Sequence, residues 1–171
     1  MRIGIDVLGL GELDRLLTRP WFRRYVYAED ELALADSFGP DRAREFLAGR
    51  FAAKEAVLKA LGTGCGGSSG LTPRQIRVVR DAASAPLVRL EGAAAWRAAG
   101  IGVSKVAVSI AHKGELVIAV ALGHEGDGPA ASGTEVTADA EDADADRVAQ
   151  TVLAELTAIR VGTGKARNRD D

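Results

Sequence analysis

Apolar and polar positions alternate at the start of the chain. Ile3, Ile5 and Val7 fall on one face and Gly4, Asp6 and Leu8 on the other, which predicts a short strand over residues 2–8 with a carboxylate inside it. Between residues 12 and 19 the pattern becomes helical, with Leu13, Leu16 and Leu17 inward and Arg15 and Arg19 four apart on a common side, until Pro20 breaks it. The basic run continues at Arg23 and Arg24. A second short helix is expected from Ala28, with Glu29, Asp30 and Glu31 in the first turn that the helix dipole favours for acids, and Gly39-Pro40 ends it. The longest helical pattern spans residues 41–61, with Asp41 as N-cap and Gly62 at the C′ position. A glycine-dense loop follows over 62–70. Strands are expected at 75–81 and 87–90, and a helix at 91–99 closed by Gly100. The clearest β signal is a final hairpin: Val106, Val108 and Ile110 alternate, Lys113-Gly114 turns the chain, and Leu116, Ile118, Val120 and Leu122 alternate back. Helices and strands thus come in blocks, which favours an α+β fold over a doubly wound sheet.

Composition sharpens this picture by dividing it. Of 171 residues, 47% are hydrophobic and 27% charged, enough for one sizeable core and incompatible with disorder throughout. Residues 1–123 carry 17 Lys and Arg against 13 Asp and Glu, a net charge of +4, whereas residues 124–171 carry 5 against 11, a net charge of −6. Within 124–146 there are eight acidic side chains and no Lys or Arg, the composition of a disordered linker over 124–147. Val148, Val152, Leu156 and Ile159 then predict an amphipathic helix over 148–161, followed by a polar tail at 162–171. No run approaches the roughly 18–20 apolar residues of a membrane span, so a cytoplasmic protein with neither membrane nor nucleic-acid partner is expected. Cys65 is the only cysteine and His112 and His124 the only histidines, which excludes an internal disulfide and zinc sites built from several thiolates or imidazoles. A metal here would be held by oxygen, which points to magnesium.

Candidate chemistry concentrates on the long helix. At about 100° per residue, Phe46, Leu47, Phe51, Val57, Leu58 and Leu61 form one apolar arc, and Arg50 and Lys54 fall inside it. Either their stems run along the helix to acidic partners, or they line a basic pocket for a polyanion. Glu55 and Lys59 lie at the edge of the arc, four apart in the order of a simple surface ion pair worth about 0.3–0.5 kcal/mol. Asp6 is the strongest single oddity, because a strand carboxylate between Ile5 and Val7 is costly unless paired or metal-bound. The glycine loop permits close backbone approach to a ligand but follows a helix, so it lacks the setting of a Walker or dinucleotide loop. Ser109 and His112 end a strand without a nucleophile elbow around the serine, and structural and ligand-contact readings are equally open for them.

Three stretches, Gly4-Ile5-Asp6-Val7, the run from Phe46 to Gly64 that contains Arg50-Phe51-Ala52-Ala53-Lys54-Glu55-Ala56-Val57-Leu58-Lys59-Ala60-Leu61-Gly62-Thr63-Gly64, and Val108-Ser109-Ile110-Ala111-His112, together resemble the holo-acyl-carrier-protein synthases, the short bacterial type of 4′-phosphopantetheinyl transferase. The resemblance covers residues 1 to about 123. It implies a long helix packed on an antiparallel sheet, and transfer of the phosphopantetheine arm of coenzyme A to a serine of an acidic acyl carrier protein with Mg²⁺, releasing adenosine 3′,5′-bisphosphate. It further implies Asp6 and Glu55 as metal ligands, Glu55 as general base and Lys59 as stabiliser of phosphate charge. Arg50, Lys54, Gly62, Thr63, Gly64, Ser109 and His112 would then line one coenzyme A cleft, set between the subunits of a homotrimer. Glu12 stands where the family commonly has a carrier-docking arginine, and Arg15, Arg19, Arg23 and Arg24 are assigned that role instead. A carrier of fatty-acid, polyketide or peptide synthesis fits equally. The alternative is a non-catalytic subunit that binds coenzyme A or a carrier, and against it stand the intact Asp6, Glu55 and Lys59.

Overall fold

The computed structural model describes residues 1–63, 70–80 and 85–126. Strand β1 (Arg2–Gly9) runs through a 3₁₀ turn (Leu10–Leu13) into the short helices α1 (Asp14–Leu17), α2 (Pro20–Val26) and α3 (Glu29–Asp36). The long helix α4 (Pro40–Ala60) follows, then a 3₁₀ turn (Pro73–Gln75), the strands β2 (Ile76–Arg80) and β3 (Pro86–Leu90), helix α5 (Gly92–Gly100), and the hairpin of β4 (Val103–Lys113) and β5 (Leu116–Glu125). This is the expected α+β fold, and its antiparallel sheet has the order β1-β5-β4-β3-β2. Gly114, with φ of +57°, makes the β4–β5 turn.

Prolines account for two shifted boundaries. Pro20 opens α2 instead of only closing what precedes it, and Pro40 takes the first position of α4 with Gly39 as its N-cap, which moves Asp41 into the first turn. In both places a residue without an N–H occupies a position whose N–H has no helical acceptor. At the other end of α4, Gly62 takes the predicted C′ role with φ of +68°. Thr63 N–H donates to the Leu58 carbonyl and Gly62 N–H to that of Lys59, the paired bonds of a Schellman motif. The last strand reaches Glu125, two residues past the boundary expected at 123. The linker, helix and tail expected beyond it begin at the last described residues and otherwise lie outside them.

The apolar arc read from the sequence is only half of how α4 is buried. Ala48, Ala52 and Ala56, four apart, form a second face of small side chains that is completely covered. Small residues let the helix approach β1 closely: a Cβ on Gly4 would clash with the Ala56 carbonyl and stand 2.6 Å from the Ala60 nitrogen. The arc of Leu47, Val57, Leu58 and Leu61 joins Val26, Tyr27, Ile76 and Val78 in the core. The opposite face of the sheet is apolar and open. Ile3, Ile5 and Val7 of β1 are 47%, 41% and 58% exposed, and they pair in register with the half-buried Leu122, Val120 and Ile118.

Candidate active site

Asp6 sits on the helix-facing side of β1, in register with Ala119. Its carboxylate accepts a 2.8 Å bond from Lys59 Nζ, which also donates to the Ile5 carbonyl at 2.9 Å. The Asp6 side chain is 15% exposed and that of Lys59 50%. Strand and helix thus bring Asp6 and Lys59 together at the β1 edge of the sheet, and Glu55 precedes Lys59 by one turn, on the same side of α4. Asp6 thus has the ion pair that a strand carboxylate needs. Among the described residues, no group of three or more His, Cys, Asp or Glu gathers as a ready-made metal cage.

A second feature lies on another side of the same helix. Phe38, Arg42, Phe46, Gly49 and Arg50, with Arg80, Pro86, Ile110 and His112, line a cleft of about 310 Å³ that also includes Glu45. The absence of a side chain on Gly49 makes the room, since a Cβ there would stand 3.1 Å from His112 Nε2. His112 Nε2 lies 3.4 Å from the Glu45 carbonyl. Arg50 is 6% exposed, stacks 4.7 Å from the Phe46 ring centre, and has a buried Nε with no hydrogen-bond partner. Burial draws its guanidinium below its ordinary pKa, with the Glu31 charge acting in the opposite direction. A buried cation with an unmet donor at the wall of an open basic cleft is suited to an anionic ligand.

Lys54 corrects the expectation that it faces a ligand phosphate. It is 0% exposed, and its ammonium donates to Glu31 Oε2 at 2.6 Å, the Pro73 carbonyl at 3.2 Å and the Ile76 carbonyl at 2.8 Å. All three ammonium protons are therefore engaged inside the protein. Burial lowers its pKa and the Glu31 charge opposes that shift. Of the two fates open to a cation in the apolar arc, Lys54 takes the acidic partner and Arg50 the pocket. Glu31 is the residue that sequence reading missed. By pattern it is a first-turn helix acid, yet its carboxylate turns inward to accept the Ala28 and Val78 N–H groups as well as Lys54. A faint signal existed in the spacing, because an acid three residues after the N-cap commonly reaches back to it.

Ser109 and His112 do not share a face within one chain. Ser109 pairs with Val120, which pairs with Ile5, and so lies on the outer face, opposite His112. Residues three apart on a strand cannot share a face, because the side-chain period is two. Of the glycine loop, Gly62 and Thr63 form the Schellman cap, with Arg97 Nε donating to the Leu61 carbonyl beside it at 3.0 Å, while Gly64 lies outside the described residues. Arg15, Arg19 and Arg24 are exposed along α1 and α2, interleaved with exposed Leu16, Trp21 and Tyr25. Arg23 differs from them, since it binds Asp36 at 2.7 Å. Glu12, standing where an arginine was expected, accepts the Gly9 N–H at 2.9 Å and so caps the 3₁₀ turn after β1.

Comparison with known proteins places this geometry. Residues 2–121 match the 4′-phosphopantetheinyl transferase superfamily. A holo-[acyl-carrier-protein] synthase of Halorhodospira halophila is 42% identical over 122 residues, covering 70% of this chain and 94% of the relative. The crystal structure of the holo-[acyl-carrier-protein] synthase of Neisseria meningitidis superposes with a TM-score of 0.64 at 29% identity, covering 72% of this chain and 98% of that one. The Bacillus anthracis holo-(acyl-carrier-protein) synthase in complex with CoA (3′,5′-ADP) superposes with a TM-score of 0.61 at 30% identity, covering 73% and 96%. The pairing of a strand aspartate with a helix lysine therefore sits on a fold and a sequence shared with these enzymes, and the chain belongs to the holo-acyl-carrier-protein synthases of the 4′-phosphopantetheinyl transferase superfamily.

Proposed function

We propose that this protein transfers the 4′-phosphopantetheine arm of coenzyme A to a serine of an apo acyl carrier protein and releases adenosine 3′,5′-bisphosphate. The observation that carries the reading is the Asp6–Lys59 ion pair, with Glu55 one helical turn before Lys59, in a chain of this family. Glu55 takes the serine proton, directly or through a water, and the serine oxygen attacks the β-phosphorus of the coenzyme A pyrophosphate. The bond from that phosphorus to the bridging oxygen breaks, and the electron pair leaves on adenosine 3′,5′-bisphosphate. Lys59, half exposed, offers its ammonium to the phosphate oxygens. The donor set fits Mg²⁺, with Asp6 and Glu55 as the residues that would hold it and phosphate and water completing the shell, as that ion prefers. When bound, the ion would supply neutralisation of pyrophosphate charge.

The Arg50 cleft is assigned to the phosphates of the nucleotide end, with Arg42, Arg80 and His112 beside it. Arg50 and Lys59 are nine residues apart, about two and a half turns, so they point to opposite sides of α4. A helix about 10 Å across then separates the cleft from the transfer residues within one chain. Two copies in contact would bring one chain's cleft to the other's Asp6, Glu55 and Lys59, and the open apolar face of β1 and β5 supports a homotrimer with shared sites. Carrier docking belongs to Arg15, Arg19 and Arg24, whose positive charge suits an acidic partner and speeds encounter. Among the described residues no helix is long and apolar enough to cross a membrane, which is compatible with action in the cytoplasm on a carrier of fatty-acid, polyketide or peptide synthesis.

The test is incubation with coenzyme A, Mg²⁺ and several apo carriers, read by the mass added to each. Asp6→Ala or Glu55→Ala should abolish labelling while circular dichroism stays native. Undiminished labelling by both variants would reject the assignment, and coenzyme A binding without labelling by the native protein would favour the non-catalytic alternative.

A further inference from the structure

The β2–β3 hairpin forms one wall of the cleft through Arg80 and Pro86, which are register partners, while Arg50 comes from α4 on another wall. That hairpin is loosely held by the sheet. Among the described residues, β1 and β5 share eight paired positions and β4 and β5 ten, but β3 meets β4 at one, Leu87 with Ala107, and β2 is the sheet edge. Apolar burial of Ile76 and Val78 holds β2 against the core, yet such contacts are non-directional and do not fix where a strand sits along its own axis.

Among the described residues, the buried part of the directional fixing comes from one node. Glu31 of α3 accepts Val78 N–H of β2 at 3.2 Å and Lys54 Nζ of α4 at 2.6 Å, and Lys54 donates in turn to the Ile76 carbonyl of β2 and the Pro73 carbonyl before it. Val78 is two residues from Arg80, so the two lie on the same face of the strand about 7 Å apart. Lys54 is one turn from Arg50 on the same side of α4. The node therefore ties the strand that carries Arg80 to the helix that carries Arg50, next to both residues. On the solvent side Arg77 adds bonds to Asp30 and Glu91, but these pairs are partly exposed and correspondingly weak.

We propose that Glu31 is a positioning residue for coenzyme A recognition: through Lys54 and Val78 it sets the separation of Arg50 from the β2–β3 wall, and so the fit of the cleft to the nucleotide end. This rests on the assignment of the cleft given above. It predicts a split that ordinary destabilisation would not produce, because the transfer residues Asp6, Glu55 and Lys59 lie on the other side of α4.

The full-length protein is compared with Glu31→Gln and with the apolar pair Glu31→Leu/Lys54→Met. Three quantities are read: coenzyme A affinity by calorimetry, initial rates with an apo carrier, and thermal unfolding. Glu31→Gln should raise both Kd and KM for coenzyme A about five- to tenfold and leave kcat at saturation within about twofold. The apolar pair should recover the unfolding temperature, as buried ion pairs replaced by apolar side chains often do, while KM stays raised because the bonds to β2 are gone. Where Glu31→Gln does not fold, the apolar pair decides. A folded variant with native KM, a fall in kcat at native KM, or an apolar pair that fails to fold would overturn the inference. Native protein that turns over coenzyme A with normal affinity in the same experiment keeps the assignment of the cleft intact, whereas native protein that does not bind coenzyme A overturns the assignment and this inference together.

Discussion

Arg50 and Lys54 are four residues apart on one helix face, both buried and equally anomalous by pattern, yet their energetics are opposite. Lys54 is matched by Glu31 and two carbonyls, so removing it strands a buried carboxylate. Arg50 keeps an unmet Nε and no carboxylate within bonding distance among the described residues. Lys54→Met should therefore cost about 3–5 kcal/mol of stability, the usual penalty for orphaning a buried charge. Arg50→Met should leave the ligand-free protein as stable as before or more stable by about 1 kcal/mol, because an unsatisfied buried donor disappears. The same variant should raise KM for coenzyme A about tenfold or more, given about 1.5–3 kcal/mol for a hydrogen bond to a charged group. Chemical denaturation and initial-rate kinetics on both variants check this pairing. Equal losses of stability would mean that the two cations play the same role.

Elements, unlike single residues, were largely legible in the sequence. The final hairpin, the long helix and its glycine terminator follow from period and from the φ requirement at Gly62. Asp6 stands out as a carboxylate inside an apolar strand, and Arg50 and Lys54 as charges inside the apolar arc, whereas Glu55 and Lys59 read as a surface pair and gain a role only through the family resemblance. What periodicity could not convey was depth. Counting apolar side chains on α4 found the arc of Phe46 and Val57 but passed over Ala48, Ala52 and Ala56, since alanine is a good helix former on any face. Only contact with Gly4 reveals that this small-residue face lies directly against β1. Gly4→Ala tests the contact: with helix backbone as the obstacle, neither partner can turn aside, and a loss of more than about 3 kcal/mol is expected, at the high end for a single substitution. Thermal unfolding measures it, and a change below about 1 kcal/mol would mean that strand and helix have slack between them. Because Asp6 meets Lys59 across this same contact, the variant that still folds should also lose activity more steeply than stability.

At the scale of the whole molecule, the proposed assignment requires one substrate to meet residues on both sides of α4. The basic cleft with Arg50 faces one way and the Asp6–Lys59 pair another, so under the proposed assignment a single chain holds two half-sites. Head-to-tail contact between copies would unite them, and this type of interface closes into a ring when the rotation allows. Subunit mixing distinguishes shared sites from self-contained ones. Under the roles proposed above, Glu55→Ala removes the base and Arg50→Ala the phosphate contact, so each alone should be nearly inactive at coenzyme A below KM. If sites are shared, an equimolar mixture that has exchanged subunits contains interfaces with an intact Glu55 from one chain and an intact Arg50 from the next, and about a quarter of native activity should return. If each chain is self-contained, mixing returns none. Adding Val7→Glu to both chains places a charge on the open apolar face, where Val7 is 58% exposed in the isolated chain. It should abolish the recovery and reduce the sedimenting mass to that of one chain, because a buried carboxylate on a subunit contact is as unfavourable as one in a core. Recovery that survives Val7→Glu would move the shared contact to a different surface.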